Sequence, residues 1–279
     1  MQSLRLLGIG LVLLALCACT DGGNENDSNE PLRSFISSFE QIDDFAGFYL
    51  TEQGHLGTTR HELSSTQVHS GTFAHRGWID GANDEIPSTN TNHRGYPTVQ
   101  LHKTTGGSFR GPILVTLWVW LDMPLNPAAD GGVDDWFSFA TFTSDESDNW
   151  SRTVLVNLGV DGFVHLMHVP NQGEQTHIFQ TDSVAFPQRQ WVELTIYLDF
   201  SAAGYAKVWQ DGILVSHASV QGMDNRLAQA HFGMYCPPQM SSGEVFNDDL
   251  RIEMVTGEPE MATVADPAPA MPLSLLISN

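Results

Sequence analysis

The sequence predicts an all-β protein, built as a two-sheet antiparallel sandwich. Three observations predict it. Residues 191–220, WVELTIYLDFSAAGYAKVWQDGILVSHASV, read as three short strands joined by two turns. In the first strand Val192, Leu194, Ile196 and Leu198 alternate with Trp191, Glu193, Thr195 and Tyr197, the period-two pattern of a strand with one face on a core. In Tyr205 to Gln210, Ala206 and Val208 face one way while Tyr205, Lys207 and Trp209 face the other. Asp211-Gly212 is a two-residue hairpin signal, because a type I′ turn needs positive φ at both central positions. Second, Gly111 to Asp122 is a strand with Val115, Leu117, Val119 and Leu121 on one face and Thr116, Trp118 and Trp120 on the other. Third, strand-length runs continue through 134–143, 153–158, 163–167, 231–235 and 245–255, with Asp161-Gly162 as a further hairpin signal.

The 279 residues hold one large domain with tails, and 41% hydrophobic content is enough to bury a core. The net charge of −21 comes from having only 12 Lys and Arg. It disfavours nucleic acid and other polyanions as partners. At the N-terminus Arg5 precedes an apolar run, Leu6 to Leu16, too short to span a bilayer. The run ends in Leu16-Cys17-Ala18-Cys19, which resembles a bacterial lipoprotein signal. That resemblance implies removal of residues 1–18, lipidation of Cys19, and a cell-envelope location with membrane contact through the lipid alone. Thr20 after the cysteine implies outer-membrane sorting in a Gram-negative cell. Cys236 is then left without a disulfide partner. Residues 19–33 are polar and acidic and read as a flexible tether to a domain spanning 34–256.

The domain opens with a strand in Ser34 to Gln41. Residues 80–110 are rich in Gly, Asn, Pro and Thr and read as a long loop around one short strand, Tyr96 to His102. Between 60 and 110 fall Arg60, Arg76, Arg94, Lys103 and Arg110, with five of the eleven histidines. They either form a local anion-recognising surface or are scattered over several strands. Asp145, Glu146 and Asp148 lie in a turn without the spacing of an EF-hand loop. Phe232 and Met234 face the core, so His231 and Tyr235 face away together. Residues 257–279 read as a disordered tail.

Gly204-Tyr205-Ala206-Lys207-Val208-Trp209-Gln210-Asp211-Gly212, His231-Phe232-Gly233-Met234-Tyr235 and Val245 to Ile252 resemble the concanavalin A-like lectin/glucanase superfamily. That family includes laminin-G-like modules and jelly-roll polysaccharide lyases. The resemblance covers most of residues 34–256 and implies a jelly-roll sandwich. In related carbohydrate-binding modules a Phe-Glu, a Ser-Gly turn and a late Asp-Asp hold a structural calcium. The matching residues here are Glu40, Ser70-Gly71 and Asp248-Asp249, a set of hard oxygen donors. Strand parity puts Asp248 on the inner face with Leu250, Ile252 and Met254, which makes Asp248 the ligand of the pair; the alternative is that Asp248 caps a turn and Glu40 is solvated.

The function implied first is carbohydrate binding, with a polysaccharide as partner. Trp118, Trp120, Trp209, His231 and Tyr235, all on faces away from the core, are the candidate ligand-binding residues, since aromatic rings stack on sugar faces. For Trp118 and Trp120, packing within a sandwich buried on both faces stands as the alternative. A second reading is a polysaccharide lyase. Jelly-roll alginate lyases carry Arg-x-Glu-Leu, Gln-x-His and a late Tyr-bearing strand, and this chain has Arg60-His61-Glu62-Leu63, Gln100-Leu101-His102 and Tyr235. The resemblance makes Tyr235 and His102 the acid/base pair and Arg60 and Gln100 the carboxylate neutralisers. The chain departs from that pattern in lacking a base in Phe139-Ala140-Thr141-Phe142, where the family places Gln-x-His. A third reading is a surface adhesion module with a protein ligand. The paired carboxylates of a laminarinase-like strand are missing, which argues against a hydrolase.

Overall fold

The computed structural model describes residues 31–261 and 273–274, apart from 42–44, 46, 49–56, 84–90, 129–131, 172–175, 180–183 and 203. The signal, Cys19 and most of the tether lie outside the described residues. The fold is an all-β jelly-roll sandwich of two large antiparallel sheets. The first sheet runs, in spatial order, Ile213–Ser219, Tyr205–Gln210, Trp191–Asp199, Ile113–Asp122, Gly243–Met254, Ala74–Ile79 and Thr59–Ser64. Ser34–Ser37 also pairs with Gly243–Met254. The second sheet runs Gly47–Phe48, Pro97–Val99, Gln229–Phe232, Phe137–Thr143, Thr153–Leu158, Val164–Val169, His177–Phe179 and Leu273–Ser274.

The alternation read in the sequence sets the core. Val115, Leu117, Val119 and Leu121 are fully buried, as are Val192, Leu194, Ile196 and Leu198 in the neighbouring strand. They meet Ala140, Phe142, Val154 and Val156 of the second sheet in one cluster. The hairpin at Asp211-Gly212 has φ of 48° and 78°, the left-handed pair that a type I′ turn requires. The segment Tyr96 to His102 is not one strand. Only Pro97–Val99 pairs, and Leu101–Lys103 turns into a 3₁₀ helix, closed by Lys103 N–H to Gln100 O (3.1 Å) and Thr104 N–H to Leu101 O (2.9 Å).

A bulge overturns one expectation. Asp248 lies opposite Trp118 and Arg251 opposite Thr116, so one extra residue sits in this strand between the two register positions. Asp249 has φ 50°. Residues opposite each other in an antiparallel pair share a face, and Trp118 is on the outer face. Asp248 is therefore on the outer face as well, not on the inner face with Leu250.

The chain beyond 256 touches the domain. Glu258 accepts hydrogen bonds from Lys207 Nζ (2.6 Å) and Tyr205 Oη (3.0 Å), and Leu273–Ser274 pairs with His177 and Ile178.

Candidate functional site

The site forms where the second sheet gives up a strand. Gln229–Phe232 pairs with Phe137–Thr143 on one side and Pro97–Val99 on the other. At Gly233 the chain leaves that sheet, and Met234–Cys236 pairs with His93–Gly95 instead. Gly233 has φ 130°, and a Cβ there would lie 2.9 Å from the His75 ring and 3.0 Å from Gly95 O. Only glycine allows both the backbone turn and the approach. The departure places Tyr235 opposite Arg94 in register, beside the outer face of the second sheet.

Ala230 and Phe232 are in the core, so His231 faces outward. Its register partners are Thr98 and Thr141. These three side chains form a row across adjacent strands, each buried. Among the described residues, Thr98 Oγ1, Thr141 Oγ1 and His231 Nδ1 have no hydrogen-bond partner. Unpartnered buried polar atoms are uncommon and ask for a ligand or water. Above the row lies a pocket of about 290 Å³, lined by Arg94, Tyr96, Thr141, Trp150, His231 and Tyr235, among others.

The pocket is built from rings around one cation. Tyr96 lies flat on His231, with ring centres 3.7 Å apart and planes 7° apart. Tyr235 stands edge-on to His231 at 5.4 Å and to Trp136 at 5.1 Å. Arg94 Cζ is 5.4 Å from the Tyr235 ring centre. Asn92 Nδ2 donates to Tyr235 Oη at 3.4 Å. Trp150 closes the other side, 4.9 Å from His231. The loop carrying it is fixed: Asp145 accepts the N–H groups of Ser147 and Ser151, Gln229 Nε2 donates to Asp145 O and Ser147 O, and Trp150 has φ 51°. Of the acids of this turn, Asp145 holds the loop, Glu146 accepts from Arg226 Nη1 (2.9 Å) and Ser108 Oγ (3.0 Å), and Asp148 lines the pocket. Burial, and then the Arg94 charge, hold the His231 imidazole well below the usual histidine range, so it is neutral near pH 7.

Of the five basic residues between 60 and 110, Arg94 alone lines the pocket. Arg60 is on the edge strand of the other sheet, donating to Gly57 O and Thr59 O. Gln100 accepts from Lys103, and His102 sits in the 3₁₀ turn with Nδ1 3.1 Å from Ala228 O. None of these three lines the pocket with Tyr235. The motif order in the chain did not carry over because the stretch around His102 is a turn, not a strand. Opposite Thr141, where the resemblance placed a Gln-x-His, the adjacent strand brings His231. Arg94 was read only as one of five basic residues of a candidate anion-recognising surface, and Tyr96 and Trp150 were not read as site residues. Their only signal was His93-Arg94-Gly95-Tyr96, a cation and an aromatic around a glycine inside the long loop.

The three tryptophans lie elsewhere, on the outer face of the first sheet. Trp118 is stacked on His69 at 3.8 Å. Trp120 is 9% exposed and edge-on to Phe246. Trp209 is 3% exposed, packed with Tyr197 and Leu214. They share no groove with His231 and Tyr235.

The acids singled out for calcium do meet the Ser70 turn, through hydrogen bonds. Asp248 Oδ2 accepts the N–H groups of His69 (2.9 Å) and Ser70 (3.0 Å), and Oδ1 accepts that of Asp249 (2.8 Å). Glu40 Oε1 accepts those of Thr72 (2.7 Å) and Phe73 (3.0 Å). The turn offers the carboxylates four N–H donors and Asp249 a fifth, where a calcium site needs oxygens converging on one point. Among the described residues no group of three or more His, Cys, Asp or Glu is placed for a metal. In this arrangement backbone N–H groups engage Asp248 and Glu40.

The buried imidazoles also predict a pH response. Burial lowers the pKa of His75, His165 and His231, with the His61 and Arg94 charges adding to the lowering at His75 and His231. Each stays neutral in the fold while the unfolded chain binds a proton below about pH 6.5, so stability falls as pH falls, by about 1.4 kcal/mol per pH unit per group. Asp248, raised by burial, acts in the opposite sense, as one carboxylate against three imidazoles. Urea melts between pH 7.5 and 5.5 should show a declining midpoint. A midpoint that rises toward pH 5.5 would show that these histidines are not buried and neutral.

Neither the family models nor the curated proteins match this chain in sequence. Solved structures do match in fold. An endo-β-1,4-glucuronan lyase from the fungus Trichoderma reesei superposes with TM-score 0.56 at 13% identity, over 80% of this chain and 95% of that one. The PL-14 alginate lyase from Aplysia kurodai gives TM-score 0.55 at 12% identity, over 79% and 97%. The cellulose-induced protein Cip1 gives 0.52 at 13%, over 78% and 95%. The chain thus has the jelly-roll sandwich architecture that two polysaccharide lyases also have.

Proposed function

We propose that the pocket takes a uronate unit of an acidic polysaccharide and that the protein cleaves the chain there by β-elimination. The observation that supports this most is the meeting of Arg94, His231 and Tyr235 in one pocket: a fixed cation beside two side chains able to move protons. The fold neighbours whose names mark them as glucuronan and alginate lyases support a glycan as partner. In this reading the Arg94 guanidinium binds the uronate carboxylate and stabilises charge that spreads onto it as the neighbouring C–H is broken. Neutral His231 takes the C5 proton, and the electron pair forms the C4–C5 double bond. The C4–O bond breaks, and the Tyr235 phenol gives its proton to the leaving oxygen. Trp150 and Tyr96 supply the apolar walls on which a sugar ring rests. The supporting pattern for location is Leu16 to Cys19, which we read as anchoring the mature chain by lipid in the cell envelope.

The test is the ultraviolet absorbance of unsaturated uronates on glucuronan, alginate and pectate. Tyr235→Phe should lower kcat by about 10²–10⁴-fold, the usual contribution of a positioned acid or base, with KM little changed. Arg94→Ala should lower kcat and raise KM together. Retention of an acidic glycan with no absorbance rise on any substrate would leave a binding module and remove the elimination step.

A further inference from the structure

A second cleft shares no residue with the Tyr235 pocket. It has a volume of about 700 Å³, within the range of ligand-binding clefts. Three adjacent strands of the first sheet build it. Trp78, Glu244 and Asp122 lie directly opposite one another in register, so their side chains stand in a row on the outer face. Arg76 is on the next row. Its Nε and Nη2 both donate to Glu244 Oε2, at 3.0 and 2.7 Å, and its Cζ lies 4.4 Å from the Trp78 ring centre. Across the cleft, Arg189 Nε donates to Asp122 Oδ2 at 2.9 Å. The Arg189 backbone is left-handed, φ 62°, and pinned by its N–H to Leu121 O at 2.8 Å.

Two guanidinium–carboxylate pairs flank an indole, and Arg76 Nη1 also meets Glu62 Oε1 at 3.4 Å, so the arginine charges are balanced by carboxylates. A bound anion would meet Glu244 and Asp122 as closely as the arginines, and a cation the reverse. A neutral ligand with paired hydroxyls suits both halves. Its oxygens accept from guanidinium N–H groups that the carboxylates leave over, and its O–H groups donate to the carboxylate lone pairs. Trp78 and Met123 give the apolar wall that a sugar's C–H face requires. We propose that this cleft binds a neutral sugar unit, as a second glycan site independent of the pocket and of whatever reaction occurs there.

Calorimetric titration with cellohexaose, laminarihexaose, mannohexaose and xylohexaose tests it, on the full domain and on three variants. At least one of these probes should bind. Trp78→Ala and Arg189→Ala should each weaken binding by about tenfold or more, and Tyr235→Phe should leave it unchanged. Arg189 has a side chain 71% exposed, so its loss cannot be read as misfolding. No heat from any probe at millimolar concentration overturns the proposal. So does binding that survives both cleft variants or disappears in Tyr235→Phe.

Discussion

Gly233→Ala should be among the most damaging single-methyl additions to this protein, costing about 3–5 kcal/mol of stability. Two costs add at this position. A φ of 130° is strained for any residue with a Cβ. The new methyl would also lie 2.9 Å from His75 Cε1, 3.0 Å from Gly95 O and 3.2 Å from Tyr96 Cβ, in a region where both walls are backbone or buried ring. Gly95 and Gly77 are close-approach positions of the same kind. A Cβ on Gly95 would meet Arg60 O at 2.8 Å, and one on Gly77 would meet Gly95 O at 2.7 Å and Met234 Cβ at 2.8 Å. The three strands are therefore locked together and cannot shift to make room.

The comparison that isolates the packing cost is Gly212→Ala. That glycine has φ 78° and nothing within 4 Å of its Cβ position, so only the backbone strain of about 1–2 kcal/mol applies. Urea melts of both variants separate the effects. Gly233→Ala should also abolish glycan binding or turnover in the pocket, because Tyr235 and Tyr96 hang from the displaced backbone. A Gly233→Ala variant no less stable than Gly212→Ala would show that the strands approach less closely than described here.

Much of the fold was legible because alternation reports burial directly. The strand Ile113–Asp122, the Asp211-Gly212 turn and the outward pairing of His231 with Tyr235 all follow from period two and turn chemistry. Alternation says which residues share a face, but not which sheet a strand joins. Trp118 and Trp120 were therefore grouped with Tyr235, although they belong to the other sheet's outer face. Parity also assumes an unbroken strand, and the bulge at Asp249 reverses it for Asp248. For a third reason Arg94 was not singled out from the other basic residues. Its three-residue strand pairs with a partner about 140 positions away, and nothing local in the loop reports that pairing.

Asp248→Ala should cost about 2–4 kcal/mol, through a turn that lies 179 residues away in sequence. The carboxylate is fully buried and accepts three backbone N–H groups, from His69, Ser70 and Asp249. Alanine removes the acceptor and leaves three donors facing no partner. Relief of the buried charge offsets part of the loss, since burial already pushes the Asp248 carboxyl above the usual range. The turn also carries His69, which stacks on Trp118 and bonds Asp249 at 2.7 Å, so Trp118 should become more exposed in the variant. A red shift of tryptophan emission in the folded state would report it. Asp248→Asn should lose less, because its amide oxygen keeps one or two of the three bonds while its NH₂ faces the remaining donor. The same melts answer the question of calcium. If the N–H donors hold the turn, a chelator leaves the wild-type midpoint where it is, and added calcium does not raise it. A midpoint that drops with chelator in the wild type, but not in Asp248→Ala, would mean that the two acids hold an ion after all and that Glu40 Oε2 and the Ser70 turn reorganise around it.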